Sequence, residues 1–105
     1  MASPPSAVRY KLIFFAPPQS LQDTKSAVFA TGAGSYPGKG GYTECCFTTP
    51  GVGQFRPGAS AKPAIGTPGT LEEVGEVRCE MLCVSESVTR DAVAALKKYV
   101  YDARW

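Results

Sequence analysis

The side chains of this sequence that could do chemistry are few. Four cysteines, Cys45, Cys46, Cys79 and Cys83, are its only thiols, and it contains no histidine. Cys79 and Cys83 stand on one side of an alternating segment and Cys45 on its expected hairpin neighbour, so Cys45, Cys79 and Cys83 are the candidates for a soft-metal or redox site. Against that, an i,i+4 pair on an extended strand is separated by about 13 Å, and no C-x-x-C spacing occurs. Cysteine is also among the most buried residues, so reduced thiols packed as small hydrophobes are expected. The lack of histidine removes the commonest general base, nucleophile activator and zinc ligand.

The carboxylates Glu44, Glu76 and Glu80 share one predicted sheet face with Arg78. Paired carboxylates can do acid/base work. With no nucleophile or histidine beside them, an interleaved ion-pair network at a subunit interface is the expected reading. The stretch "GAGSYPGKGGY" (32–42) has the composition of a phosphate loop but not its spacing. Lys39 is followed by glycine, the position five before Gly38 is Ala33, and the stretch follows a helix instead of a strand. It reads as a structural turn.

The segment "GVGQFRPGASAKPAIGTPG" (51–69) joins two expected strands with far more residues than a hairpin needs. Its glycines permit positive φ and its prolines remove freedom from the unfolded chain, so the loop can be ordered. Phe55 can anchor in an apolar pocket. Arg56 can present its planar fork to a carboxylate or phosphate, or pair with Glu72, Glu73 or Glu76 of its own fold or a neighbouring subunit.

At 105 residues with a net charge of +2, the chain has the size of one domain and no field for a phosphate backbone. Nucleic acid is therefore not expected as a partner. The start "MASPPSAVR" lacks a charged-then-apolar leader, and "LIFFA" is far too short to span a bilayer. A cytoplasmic protein without membrane contact, and with no cofactor implied, is the expectation.

The elements that must position these residues follow from periodicity. Residues 1–8 read as a disordered tail and 9–105 as one folded domain. A first strand covers 10–17, followed by a helix over 20–34 with Ser20 as N-cap, Asp23 in its first turn and Gly32 or Gly34 as the stop. A second strand covers 42–49 and a third 73–84, with Val77, Cys79, Met81 and Cys83 on one side. The second helix, behind a serine cap over 85–99, sets Val88, Ala92, Ala95, Leu96 and Tyr99 at helical spacing. The aromatic tail 99–105 can supply a last strand. The order βαββαβ predicts an α+β, ferredoxin-like sandwich: a four-stranded antiparallel sheet with two helices on one face. The first strand is apolar on both faces, with Leu12 and Phe14 opposite Ile13 and Phe15, so a partner subunit is expected on the open face.

The ordered set Tyr42, Cys45, Phe47, Gly53, Phe55, Arg56, Pro57, Gly58, Pro63, Gly66, Gly69, Glu73 and Arg78 resembles the domain inserted in Nif-three-like proteins, the family often labelled GTP cyclohydrolase type 2. The resemblance covers roughly residues 9–98 and implies a fold similar to P-II signalling proteins and CutA-type copper-tolerance proteins, which are trimers. The family's metal-binding core flanks this domain and is not present here, and its "HPYEEP"-like segment is replaced by "KKYVYDARW". The resemblance thus implies a non-catalytic, oligomeric, regulatory or binding module. Its binding element is the 51–69 loop, and its ligand or partner set is Tyr42, Phe55, Arg56, Pro57, Gly58 and Lys62, facing a small anion or a protein. A structural protein–protein interaction domain and a CutA-type thiol metal-binding protein are the alternatives.

Overall fold

The computed structural model describes residues 8–103; the expected tail up to residue 7 lies outside them. Strand β1 (Tyr10–Ala16) leads through a short 3-10 turn (Pro18–Ser20) into helix α1 (Leu21–Phe29), then come β2 (Phe47–Phe55), β3 (Glu72–Cys83) and helix α2 (Glu86–Ala103). The three strands form one antiparallel sheet in the order β1-β3-β2, with β3 central. The class is α+β, as its sequence pattern predicts.

The expected fourth strand is not found among the described residues, because 99–103 continue α2 and 104–105 lie outside them. The run Tyr-Val-Tyr favours strand by propensity, yet no glycine or proline interrupts it. Once a helix is nucleated, each further residue adds a hydrogen bond at little cost. At its start, the Ser85 hydroxyl accepts from the Val88 amide at 3.1 Å, the serine cap the spacing predicts.

Register decides which residues meet. Leu12, Phe14 and Ala16 pair with Met81, Cys79 and Val77; all of these but Val77 join Val28, Ala33, Cys83 and Ala92 in one core cluster, and Val77 is buried as well. Leu21 and Phe29 from α1 and Val88, Val93 and Leu96 from α2 pack against it, so both helices cover the same sheet face. Each fully buried Leu or Phe there is worth about 1.5–3 kcal/mol over an exposed one. On the opposite face Ile13 and Phe15 remain 42% and 49% exposed and Phe47 64%. The charged row between them is held by Arg78 to Glu80 at 2.8 Å and Lys11 to Glu80 at 3.5 Å.

Helix α1 ends sooner than the sequence pattern suggests. Its last turn tightens, with the amides of Thr31 and Gly32 donating to Val28 and Phe29 carbonyls, and Gly32 and Gly34 then take positive φ. Gly34 is buried in this turn, and its amide donates to the Leu82 carbonyl at 2.8 Å.

The main departure concerns β2. It runs 47–55, not 42–49, so five residues of the expected loop are strand and the loop shrinks to residues 56–71. Pro50 is tolerated because β2 is an edge strand. At Gly53 a Cβ would meet only the end of the Glu76 side chain, the carboxyl carbon at 2.8 Å, which can swing aside. The β2–β3 ribbon therefore runs on past β1, which ends at Ala16 opposite Val77. This gives extents of 57 × 22 × 22 Å and a radius of gyration of 16.5 Å, against about 13 Å for a compact chain of this size.

Candidate functional site

At the far end of this ribbon the 56–71 loop folds back on itself. The Arg56 guanidinium donates to the Gly69 carbonyl at 2.8 Å, and the Gly69 amide donates to the Pro57 carbonyl, also at 2.8 Å. Two inner turns, Ala61 to Gly58 and Thr70 to Thr67, complete it. Gly66 and Gly69 take positive φ, and at Gly66 a side chain would strike the Glu72 Cγ at 2.7 Å. Glycine is required at Gly66 on both counts.

Under this loop lies a groove of about 990 Å³, lined by Phe55, Pro63, Ala64 and Ile65 on one side and by the corner Pro17–Ser20 on the other. Val74, Gly75 and Glu76 of β3 lie between these walls. Pro17, at φ −58° and ψ 143°, has no amide to continue the ladder, and Pro18 turns the chain away. Thus the β1 ladder ends at the Ala16–Val77 pair, and the Pro17–Ser20 corner, turning away alongside β3, forms one wall of the groove.

The expected binding residues are partly brought together. Phe55 lines the groove as an anchor, Pro57 is buried, and Gly58 and Lys62 lie on the loop's exposed turn. Arg56 closes the loop through a backbone carbonyl and forms no ion pair with Glu72, Glu73 or Glu76 within 4.0 Å. Tyr42 stands apart: it lies before the Phe47 end of β2, whereas Phe55 ends that strand roughly 26 Å away. Its carbonyl accepts from the Tyr36 amide at 2.8 Å and the residue is 70% exposed, so it belongs to the separate 36–42 turn. The corner Pro17–Ser20 was not marked by the sequence as a site; two consecutive prolines after a strand were its only signal.

The thiols also rearrange. Cys45 and Cys46 precede β2 instead of lying within it. Register sets Thr48 opposite Cys79, so Cys46, two residues before Thr48, shares its face, and Cys46 is the thiol beside Cys79. Cys45 instead donates to the Thr43 carbonyl at 3.5 Å. Burial, reinforced by Cys46, pushes the Cys79 thiol up to about 12, and burial likewise raises Cys83. All four cysteines are free, and among the described residues no three metal-ligating side chains converge. Glu44 leaves the expected carboxylate face, since it sits in a turn at φ 56°. Of that group Arg78 and Glu80 are paired. The Glu80 carboxyl lies below its usual range, chiefly through the hydrogen bond from Arg78.

An α+β segment with one three-stranded sheet, two helices on one face and a long closed loop defines the class. No protein-family model matches the chain. It is related to part of the proteins described as GTP cyclohydrolase 1 type 2 homolog. It is 36% identical to that of Listeria monocytogenes over 83 residues, covering 76% of this chain and 22% of the relative. To that of Bacillus subtilis it is 36% identical over 93 residues, covering 88% and 24%. A solved structure of a Bacillus cereus protein related to NIF3 superposes with a TM-score of 0.69 at 28% identity, over 88% of this chain and 22% of that one. The chain therefore spans about a fifth to a quarter of the length of these relatives. No helix among the described residues is long and apolar enough to cross a membrane.

Proposed function

We propose that this chain is a non-catalytic, oligomeric binding module, with the 56–71 loop and the groove beneath it as its binding element. The observation that carries the reading is the loop's closure: Arg56 and Gly69 bracket it through two short hydrogen bonds, so that Phe55, Pro63 and Ile65 are held over an apolar groove. A loop of this length that is tied down and overhangs a cleft has the form of a recognition element. The chain covers only 22% of the Listeria monocytogenes relative, so the reading rests on the loop and the groove.

Self-association is supported by the uncovered sheet face. Ile13, Phe15 and Phe47 expose large apolar area around the Lys11–Glu80–Arg78 row, an arrangement suited to burial against further copies in a trimer. The wide separation expected of Cys79 and Cys83 on one strand weighs against a thiol metal-binding protein.

Hydrogen exchange in the native oligomer tests the binding element. The Ala61, Gly69 and Thr70 amides should be protected well beyond unstructured-peptide rates; exchange at those rates would reduce the loop to a tether and end the proposal. Sedimentation equilibrium tests the assembly, and a lone 11.1 kDa species at micromolar concentration would refute it.

A further inference from the structure

Two sulfurs lie together where β2 meets the core. Phe47 pairs with Glu80 and Thr48 with Cys79, so the same register carried back one residue sets Cys46 diagonal to Cys79 on the helix-covered side of the sheet. The Cys46 side chain packs against the core and lies within hydrogen-bonding reach of the Cys79 thiol. Cys83 takes the other diagonal and has Thr89 as its neighbour instead. Cys45 points the opposite way, because successive side chains of an extended chain alternate, and its thiol donates to the Thr43 carbonyl. One pair among the four thiols is thus placed for a bond.

The members of that pair differ in access. Cys46 is half-buried and, with Cys45, lines a groove of about 340 Å³ bordered by Lys11, Tyr36 and Phe47. Cys79 is fully buried, and burial keeps it a thiol at neutral pH. A small oxidant therefore meets Cys46 first, with Cys79 waiting behind it as the resolving thiol. Strand β2 gives such a bond something to do. None of its residues is buried and it stands at the sheet edge, so its ladder to β3 is what holds it.

We propose that Cys46 and Cys79 form a peroxide-driven redox couple that staples the start of β2 to the core. Hydrogen peroxide oxidises Cys46 to the sulfenic acid: an S–O bond forms, the O–O bond breaks, and the thiol proton leaves with the other oxygen as water. The Cys79 sulfur then displaces the sulfenic oxygen, so that an S–S bond forms, the S–O bond breaks, and the Cys79 proton leaves with that oxygen as a second water. Each cysteine gives up one electron and the peroxide takes both. Cys46 precedes the β2 ladder, so its backbone can shift to bring a diagonal Cα separation of about 7 Å into the disulfide range of about 4.4–6.8 Å. The covalent ring from 46 to 79 encloses the β2–β3 ribbon and its 56–71 loop. Its formation does not depend on what that loop binds.

The full-length chain, reduced and freed of reductant, is treated with hydrogen peroxide near neutral pH, blocked with N-ethylmaleimide in denaturant and digested with trypsin. The cut between Arg78 and Cys79 puts the two sulfurs in separate peptides. Mass spectrometry should find Cys46 joined to Cys79 within one chain, with Cys45 and Cys83 carrying maleimide, and dithiothreitol should return all four thiols. Thermal melts of the oxidised chain should show Tm raised by roughly 10 °C. Cys46→Ser should abolish both the link and the rise, whereas Cys45→Ser should leave both. Cys79→Ala should stop at a sulfenic acid on Cys46 that dimedone traps; should that variant fail to fold, Cys46→Ser, at a half-buried position, carries the test. A Cys45–Cys46 link, a link only between chains, or Cys46 carried to sulfinic acid while Cys79 stays free overturns the couple. A Cys46–Cys79 link with unchanged Tm overturns the staple.

Discussion

Replacing Gly34 by alanine should be among the most damaging single-methyl changes available in this chain. Gly34 sits at φ +80°, where a new Cβ would lie 2.8 Å from the Cys45 carbonyl oxygen and 2.8 Å from the Phe29 ring. Neither neighbour can yield cheaply. The carbonyl belongs to a backbone tied by the Cys45 amide to the Gly34 carbonyl at 2.9 Å, and the Gly34 amide is itself tied to Leu82 of β3 at 2.8 Å. Left-handed backbone costs a residue with a Cβ about 1–2 kcal/mol, and forcing a methyl into packed surroundings costs about 1–3 kcal/mol more. Lower entropy of the unfolded chain offsets about 0.4–1 kcal/mol. The net loss is about 2–4 kcal/mol, a fall in Tm of roughly 10–25 °C for a chain of this size. Urea and thermal melts followed by circular dichroism measure it. Gly41→Ala is the control for strain alone: its φ is +58° but the space is open, so about 1 kcal/mol is expected. Gly75→Ala, with neither positive φ nor a neighbour, should be neutral or slightly stabilising. If Gly34→Ala and Gly41→Ala lose the same stability, the steric argument is wrong.

Ser85→Ala removes the oxygen that accepts from Val88 and should cost about 1 kcal/mol, read from the same melts; no loss would mean that α2 is not capped by this hydroxyl. Under native conditions a bulky maleimide should label Cys45 and Cys46 well before Cys79 and Cys83, by mass spectrometry, because the latter two are buried and the Cys79 thiol is held near pKa 12. Since that value is raised above 9.0, the stabilisation linked to Cys79 is whole below pH 9 and fades as pH climbs toward 12. The Glu80 carboxyl has the opposite sign: its folded pKa lies below 4.5, so its contribution is present above pH 4.5 and disappears as pH falls through the folded value. Glu80→Gln should flatten that acid limb, and an unchanged slope would show that the Arg78 and Lys11 contacts do not hold the charge.

Local signals in this chain settled local structure. The alternation of Val77, Cys79, Met81 and Cys83 specifies a half-buried strand, and the spacing of Val88, Ala92 and Leu96 behind Ser85 specifies an amphipathic helix, because both patterns depend only on backbone period. The two-sided apolar character of Leu12 to Phe15 likewise marked an uncovered sheet face. Other features depended on residues distant in sequence. Pro50, Gly51 and Gly53 read as loop by propensity, and they are strand because β3 offers them a ladder partner and an edge strand tolerates the proline. The tail from Tyr99 reads as strand and is helix, since propagation of α2 outweighs the preference of three residues. Cys46 rather than Cys45 meets Cys79, as one residue of register exchanges the two faces. The groove was invisible in the sequence for the same reason: it exists where Pro17 ends β1 while β3 runs on, a mismatch in length between two strands that only their pairing reveals.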